Sequence, residues 1–149
     1  MTVYFATDHA GFALKEILIT YVRDVLGFPV FDCGALAQND QDDYPEFMKR
    51  VGKAVSENPA SARAIILGGS GQGEAMVVNR FPYVRATVYY GGPRDIITLS
   101  REHNDANVLS LGARFVGEEE AKEIVALWLQ TEFSNDERHV RRITQIDSN

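Results

Sequence analysis

Short apolar segments alternate with longer helical patterns along the whole chain, which predicts an α/β fold. The expected architecture has three layers, with helices on both faces of a five-stranded parallel sheet and a helical tail at the C-terminus. Two observations carry this reading. The β-α spacing suits parallel strands joined by crossover helices, and a glycine-rich loop follows the third strand and opens a helix.

The first strand, residues 3–7, leads into a helix with Leu14, Ile17, Leu18, Tyr21, Val22, Val25 and Leu26 on one stripe. Gly27 ends that helix, and residues 29–32 form the second strand. A polar loop at 37–43 precedes a helix opening at Pro45, a favoured first helical position. Asn58-Pro59 breaks this helix, and residues 64–67 form the third strand. Beyond the glycine loop a helix runs from 74 to 80 and stops at Phe81-Pro82. Residues 84–89 read as the fourth strand, Gly91-Gly92-Pro93 as a turn, 94–102 as a helix and 107–111 as the fifth strand. Glu118, Glu119 and Glu120 open a helix that buries Ala121, Ile124, Val125 and Trp128. Residues 135–146 read as a last, mostly exposed helix.

This is a Rossmann-like arrangement, in which ligands bind beyond the carboxyl ends of the strands. Four segments fall at that edge: Asp8-His9, residues 70–74, the turn at 91–93, and residues 112–114. Residues 1–149 read as one domain, without repeats, low-complexity tracts or a linker.

The composition excludes several function classes. Of the 149 residues, 45% are hydrophobic and 24% charged, as in ordinary globular proteins. A net charge of −6 argues against a nucleic-acid or anionic-membrane surface. Cys33 is the only cysteine, so neither an intrachain disulfide nor a cysteine metal cluster is expected. His9, His103 and His139 lie far apart in sequence, so no metal site is expected either. The chain opens on a strand-like segment without a basic leader, and no apolar run approaches ~18 residues. A cytoplasmic protein is the expectation.

The most informative stretch is Ile65-Ile66-Leu67-Gly68-Gly69-Ser70-Gly71-Gln72-Gly73-Glu74. Its glycines let the backbone approach a ligand and turn N–H groups toward one point, at the start of a helix that favours negative charge. Ser70 adds a hydroxyl, and Glu74 places a carboxylate at the rim. Oxyanion donors beside a proton acceptor are what carbon-acid chemistry needs. Two familiar loops are excluded at one residue. Glu74 stands where a dinucleotide fingerprint needs its third glycine, and where a Walker A loop needs lysine. Glu74 also suits a first helical turn for structural reasons, worth roughly 0.3–1 kcal/mol.

Asp8 and His9 either cap the first helix or work at the functional edge. His103-Asn104-Asp105 lies in a polar loop before the fifth strand. In the tail, Arg138 and Arg142 share a helix face at i, i+4, and His139 and Arg142 stand at i, i+3. Such a face is either solvated or a clamp for an anion, since arginines bind phosphate through planar, bidentate donors.

Taken together, these segments resemble the type B ribose-5-phosphate isomerases. The resemblance rests on Asp8-His9-Ala10-Gly11-Phe12 with Leu14-Lys15, on Asp43-Tyr44-Pro45, and on residues 69–73 with Asn79-Arg80. It continues through residues 100–109, Leu111-Gly112 and the closing Arg138-His139 with Arg142, in the family's order along nearly the whole chain. Subunits that isomerise galactose 6-phosphate share much of the pattern. One departure is informative. Many members carry a cysteine base just before the loop, where this chain has Gly68, and a second branch uses a glutamate at the position of Glu74.

The resemblance implies an aldose–ketose isomerase acting on ribose 5-phosphate, or a related five- or six-carbon sugar phosphate, through a cis-enediolate. Glu74 would be the base. Ser70 with the N–H groups of Gly71, Gln72 and Gly73, next to Gly69, would hold the oxyanion. His103 would assist ring opening, and Asp8 would handle a sugar hydroxyl. His9, Arg138 and Arg142 would bind the phosphate, with Arg114 a further candidate, and Tyr44 and Asn104 would line the sugar. No metal or organic cofactor is implied, and homodimers or homotetramers with shared sites are. The alternative is a non-catalytic, flavodoxin-like module that binds a phosphate or nucleotide.

Overall fold

A computed structural model describes residues 1–148. Five strands form one parallel sheet: β1 (Thr2–Thr7), β2 (Val30–Asp32), β3 (Ala62–Gly68), β4 (Ala86–Tyr89) and β5 (Val108–Gly112). Their order is β2-β1-β3-β5-β4. Six helices connect and flank them: α1 (Phe12–Thr20), α2 (Tyr44–Glu57), α3 (Gln72–Val78), α4 (Asp95–Glu102), α5 (Glu118–Gln130) and α6 (Glu137–Asp147). The three-layer expectation holds.

Alternation along the strands builds two cores. Val3, Phe5, Ile65, Leu67, Leu109 and Leu111 point to one face, where Leu18 of α1, Ile97 of α4 and Ile124 and Trp128 of α5 cover them. Ala6, Ala64, Ile66 and Val108 point to the other, under Met48, Val51 and Val55 of α2 and Val78 of α3. The four residues expected on the buried face of α5 are all buried.

The first helix departs from its expected stripe. After Thr20 the chain makes a π-helical turn over residues 21–25, closed by the Leu26 N–H donating to the Tyr21 carbonyl at 3.1 Å. That extra residue per turn rotates the stripe, so Val25 is 69% exposed. Lys15 takes an unexpected place in the core. It is fully buried, and its ammonium meets the Asp32 carboxylate, Glu16 at 3.2 Å and the Ala35 carbonyl at 2.7 Å. This contact fastens α1 to the end of β2. β4 also begins later than expected, because the Asn107 side chain takes up the Arg85 N–H at 2.8 Å before the ladder starts.

Lys15→Ala would empty a buried site and strip the Ala35 carbonyl and Asp32 of their cation. The expected cost is about 2–5 kcal/mol, read from the urea midpoint. Lys15→Met keeps the volume and is expected to lose less.

Candidate functional site

The chain leaves β1 toward β2 and leaves β3 toward the opposite end of the sheet. The carboxyl ends of these neighbours therefore bound the switch point where α/β sheets bind ligands. A cavity of about 420 Å³ opens there, within the range of small-molecule sites. Its walls are Asp8, His9 and Ala10 after β1, Tyr44 at the start of α2, Gly69, Ser70, Gly73 and Glu74 after β3, and Arg114 and Phe115 after β5. Asp8, His9, Ser70, Gly73 and Arg114 from the segments expected at this edge, with Tyr44 and Gly69 from the family resemblance, thus come together with Glu74.

Glu74 is 4% exposed, and the reason for Gly68 lies in its side chain. A Cβ built on Gly68 would stand 2.0 Å from Glu74 Oε1 and 2.1 Å from its Cδ. The carboxylate occupies the volume that any side chain at 68 would need. Burial pushes its pKa up, its own backbone N–H pulls the other way, and the charge of Asp8 pushes it up again. This is a carboxylate held above the ordinary range in a cleft, the condition of a tuned proton acceptor.

The loop before it is held from below. Gly71 has a φ of 76° and no space for a Cβ, which would lie 3.0 Å from Ser110 Oγ. Ser110 Oγ donates to the Gly71 carbonyl at 2.6 Å from inside the sheet. Ser70 Oγ accepts from the Gln72 N–H at 3.3 Å, and Gln72 is not among the residues that line the cavity. Gly73 lies against the Tyr44 hydroxyl and Gly69 under the Arg114 guanidinium, both closer than a Cβ would allow without displacement.

Asp8 both caps and lines. Its Oδ1 accepts from the Ala10 N–H at 2.9 Å, closing a 3₁₀ turn at His9–Gly11. His9 is gripped by Asp42, a residue the sequence did not single out. Asp42 Oδ1 accepts from the His9 N–H at 3.1 Å and pairs with its Nδ1 at 2.7 Å. That bond raises the His9 pKa. Burial opposes it, and the charges of Asp8, Asp42 and Asp40 reinforce it. The only hint in the sequence was a run of acids, Asp40, Asp42 and Asp43, before Tyr44. Donor atoms of Asp8, His9 and Asp42 lie within 4.8 Å of one another. However, the His9–Asp42 hydrogen bond already uses two of the atoms a cation would need, and we assign no metal centre.

Five expected contributors lie elsewhere. The turn after β4 is separated from the crevice by β5, with Tyr90 packed edge-on against Phe115. His103 closes α4, which runs back from the carboxyl end of β4 to the start of β5, and so sits at the opposite edge of the sheet. There its ring packs against that of His139, tilted by 40° with 4.3 Å between ring centroids. Burial first, then the charges of His103 and Arg138, lower the His139 pKa. Asn104 lines a separate groove with Arg85 and Ile146, and Arg138 and Arg142 stand exposed on α6. Asp105, with a φ of 43°, anchors this segment by pairing with Arg101 at 2.7 Å, Arg85 at 3.2 Å and Arg63 at 3.6 Å.

The sequence model of the family described as ribose/galactose isomerase matches residues 3–146. The chain belongs to the ribose/galactose isomerase family. Ribose-5-phosphate isomerase B of Mycobacterium tuberculosis is 37% identical over 143 residues, covering 96% of this chain and 86% of that protein. The Escherichia coli protein of the same name is 35% identical over 144 residues, 97% of this chain and 93% of that one. The crystal structure of ribose-5-phosphate isomerase B from Mycoplasma genitalium with bound ribulose-5-phosphate superposes with a TM-score of 0.91 at 34% identity, over 98% of this chain and 93% of the other. The type B enzyme from Trypanosoma cruzi gives 0.91 at 38% identity, over 99% and 97%. Membership of this isomerase family sets aside the non-catalytic alternative.

Cys33, at the end of β2, is buried among Ala6, Met48 and Ile66. Burial, with Asp32 adding to it, pushes its thiol up to about 11. At pH 7 only about 10⁻⁴ of it is thiolate. Iodoacetamide is therefore expected to leave the folded protein unlabelled by intact mass over hours, and to add one carbamidomethyl group once the chain is denatured. Rapid labelling of the native form would contradict the buried placement.

Proposed function

We propose that this protein interconverts ribose 5-phosphate and ribulose 5-phosphate, with Glu74 as the base that moves the proton between C1 and C2. The observation that carries this reading is the buried Glu74 carboxylate, which fills the space left by Gly68 beside the glycine loop. Glu74 takes a proton from C2 of the open-chain aldose and returns it to C1. Ser70 and the loop N–H groups stabilise the enediolate oxygen as charge develops on it. Asp8 orients a sugar hydroxyl, and Tyr44 lines the sugar. His9 and Arg114 receive the phosphate at the mouth.

The cavity of one chain then lacks a group to open the sugar ring and the rest of a phosphate clamp. We assign both to a second copy, whose His103, Asn104, Arg138 and Arg142 would cover the mouth. Their place at the opposite sheet edge supports this, because in their own subunit they line no part of the cavity. The exposed apolar side chains of Phe115, Tyr90 and Met76 supply surface for such a contact. A homodimer with two shared sites is the smallest closed assembly that satisfies it.

Glu74→Gln keeps the shape and removes the base. Turnover is expected to fall by about 10²–10⁴. Because the carboxylate must be ionised to act and burial raises its pKa, wild-type kcat should decline as pH falls, at higher pH than an ordinary glutamate near ~4.3 would dictate. The raised pKa also means that the ionised form costs stability above that pKa, so Glu74→Gln should melt at or above the wild-type temperature at neutral pH. Near-wild-type turnover would refute the assignment.

Sharing can be read separately. Glu74→Gln and His103→Asn homo-oligomers should each be nearly inactive. Unfolding and refolding them together in equal amounts should restore about a quarter of wild-type activity, because half the dimers are hybrids with one intact site of two. If both residues serve a site within one chain, mixing restores nothing.

A further inference from the structure

The Asp42 carboxylate has more to it than a capping role requires. Its side chain is 7% exposed, and Oδ1 alone accepts both His9 bonds. Oδ2 is buried without a hydrogen-bond partner among the described residues. An asparagine could accept the same two hydrogen bonds without burying a charge. A buried carboxylate with an idle oxygen is costly, so the charge itself needs an explanation.

We propose that Asp42 is a positioning residue for phosphate binding: it clamps the His9 ring by Nδ1 and leaves Nε2 free toward the cavity, where it donates when the ring is protonated. This deepens the functional reading above and rests on His9 as a phosphate ligand. With Nδ1–H committed to Asp42, the ring has one orientation and one free nitrogen, so it arrives at the phosphate already aligned. The carboxylate also acts as counter-charge while the cavity is empty.

The groups facing His9 are Asp8 from the end of β1, Asp40 and Asp42 from the β2–α2 loop, Tyr44 from α2, Glu74 from α3 and Arg114 from the β5–α5 loop. The aspartates favour the imidazolium, while burial opposes it. The sign follows from that balance. The part of phosphate affinity that depends on the imidazolium is present below the raised pKa and is lost as pH rises through it. Without Asp42 that loss begins at lower pH.

The test is competitive inhibition of ribose 5-phosphate isomerisation by inorganic phosphate, at about pH 6 and about pH 8, in wild type, Asp42→Asn, His9→Asn and the double variant. Comparing each variant with wild type at one pH cancels the titration of phosphate itself. Asp42→Asn is expected to raise the phosphate Ki little at the lower pH and roughly tenfold at the higher, the factor of one charge-assisted hydrogen bond. KM should follow Ki, with the loss falling there rather than on kcat. In the His9→Asn background, Asp42→Asn should add less than about twofold, because its effect runs through the ring. A Ki ratio equal at both pH values, or a full Asp42→Asn effect without His9, shows a merely structural carboxylate and overturns the proposal. If His9→Asn leaves the phosphate Ki unchanged while isomerisation persists, the phosphate role of His9 fails, and this inference with it. Nitrogen-15 spectra of His9 in the unmodified protein give a check that needs no variant to fold. Neutral His9 should carry its proton on Nδ1, and an Nε2–H tautomer overturns the clamp.

Discussion

The parallel ladder between β1 and β3 fixes almost everything chemical in this molecule. It pairs Thr2 with Ala62 through to Thr7 with Leu67, so Asp8, just past β1, comes beside Gly68, the last residue of β3. A slip of one residue would turn the strand interiors over and carry both loops with them. Gly11 shows how close the fit is. A Cβ there would lie 2.5 Å from Thr7 Oγ1 and 2.6 Å from Leu67 Cβ, so the turn after β1 can fold back against β3 only as glycine. Both cores serve this ladder, each packing helices onto one of its faces.

Around that fixed centre, the polar groups are supported from behind. Ser110, fully buried in β5, holds the carbonyl of Gly71. Lys15 and Asp32 fasten the end of β2, from which the loop carrying Asp42 departs. Asp105 gathers three arginines beneath His103 and Asn104. None of these groups lines the cavity at the switch point. Each holds a segment that carries residues of the proposed site.

Much of this was legible in the sequence, and the reasons for the rest are specific. Strand and helix alternation depends on local periodicity, so the layers, the buried face of α5 and the glycine loop could be read directly. The crevice residues followed from the rule that sheet ligands bind at the carboxyl edge. The π-helical turn could not be read, since nothing in the Tyr21-to-Leu26 pattern marks the extra residue. Strand order was not readable either, which is why the turn after β4 was expected beside the site although β5 intervenes. Asp42, Lys15 and Ser110 act through contacts distant in sequence, and a single chain without its alternatives carries no signal for such pairs. The segment around His103 was legible as a motif but not as a place, because only the course of α4 puts it at the far edge.

The space shared by position 68 and the Glu74 carboxylate also constrains how this lineage could have changed. A thiol-bearing residue at 68 and a buried carboxylate at 74 exclude each other in the observed geometry. An ancestor passing between the two arrangements could not hold both in place. With Glu74 in the role of base proposed above, losing it first would leave no proton acceptor before a cysteine arose. Gaining the cysteine first displaces the flexible glutamate but supplies a new acceptor in the same volume. The order of substitution is therefore directional in each sense of travel: the newcomer must enter before the incumbent departs, and relics with a displaced glutamate behind a cysteine are the intermediates that history should have left.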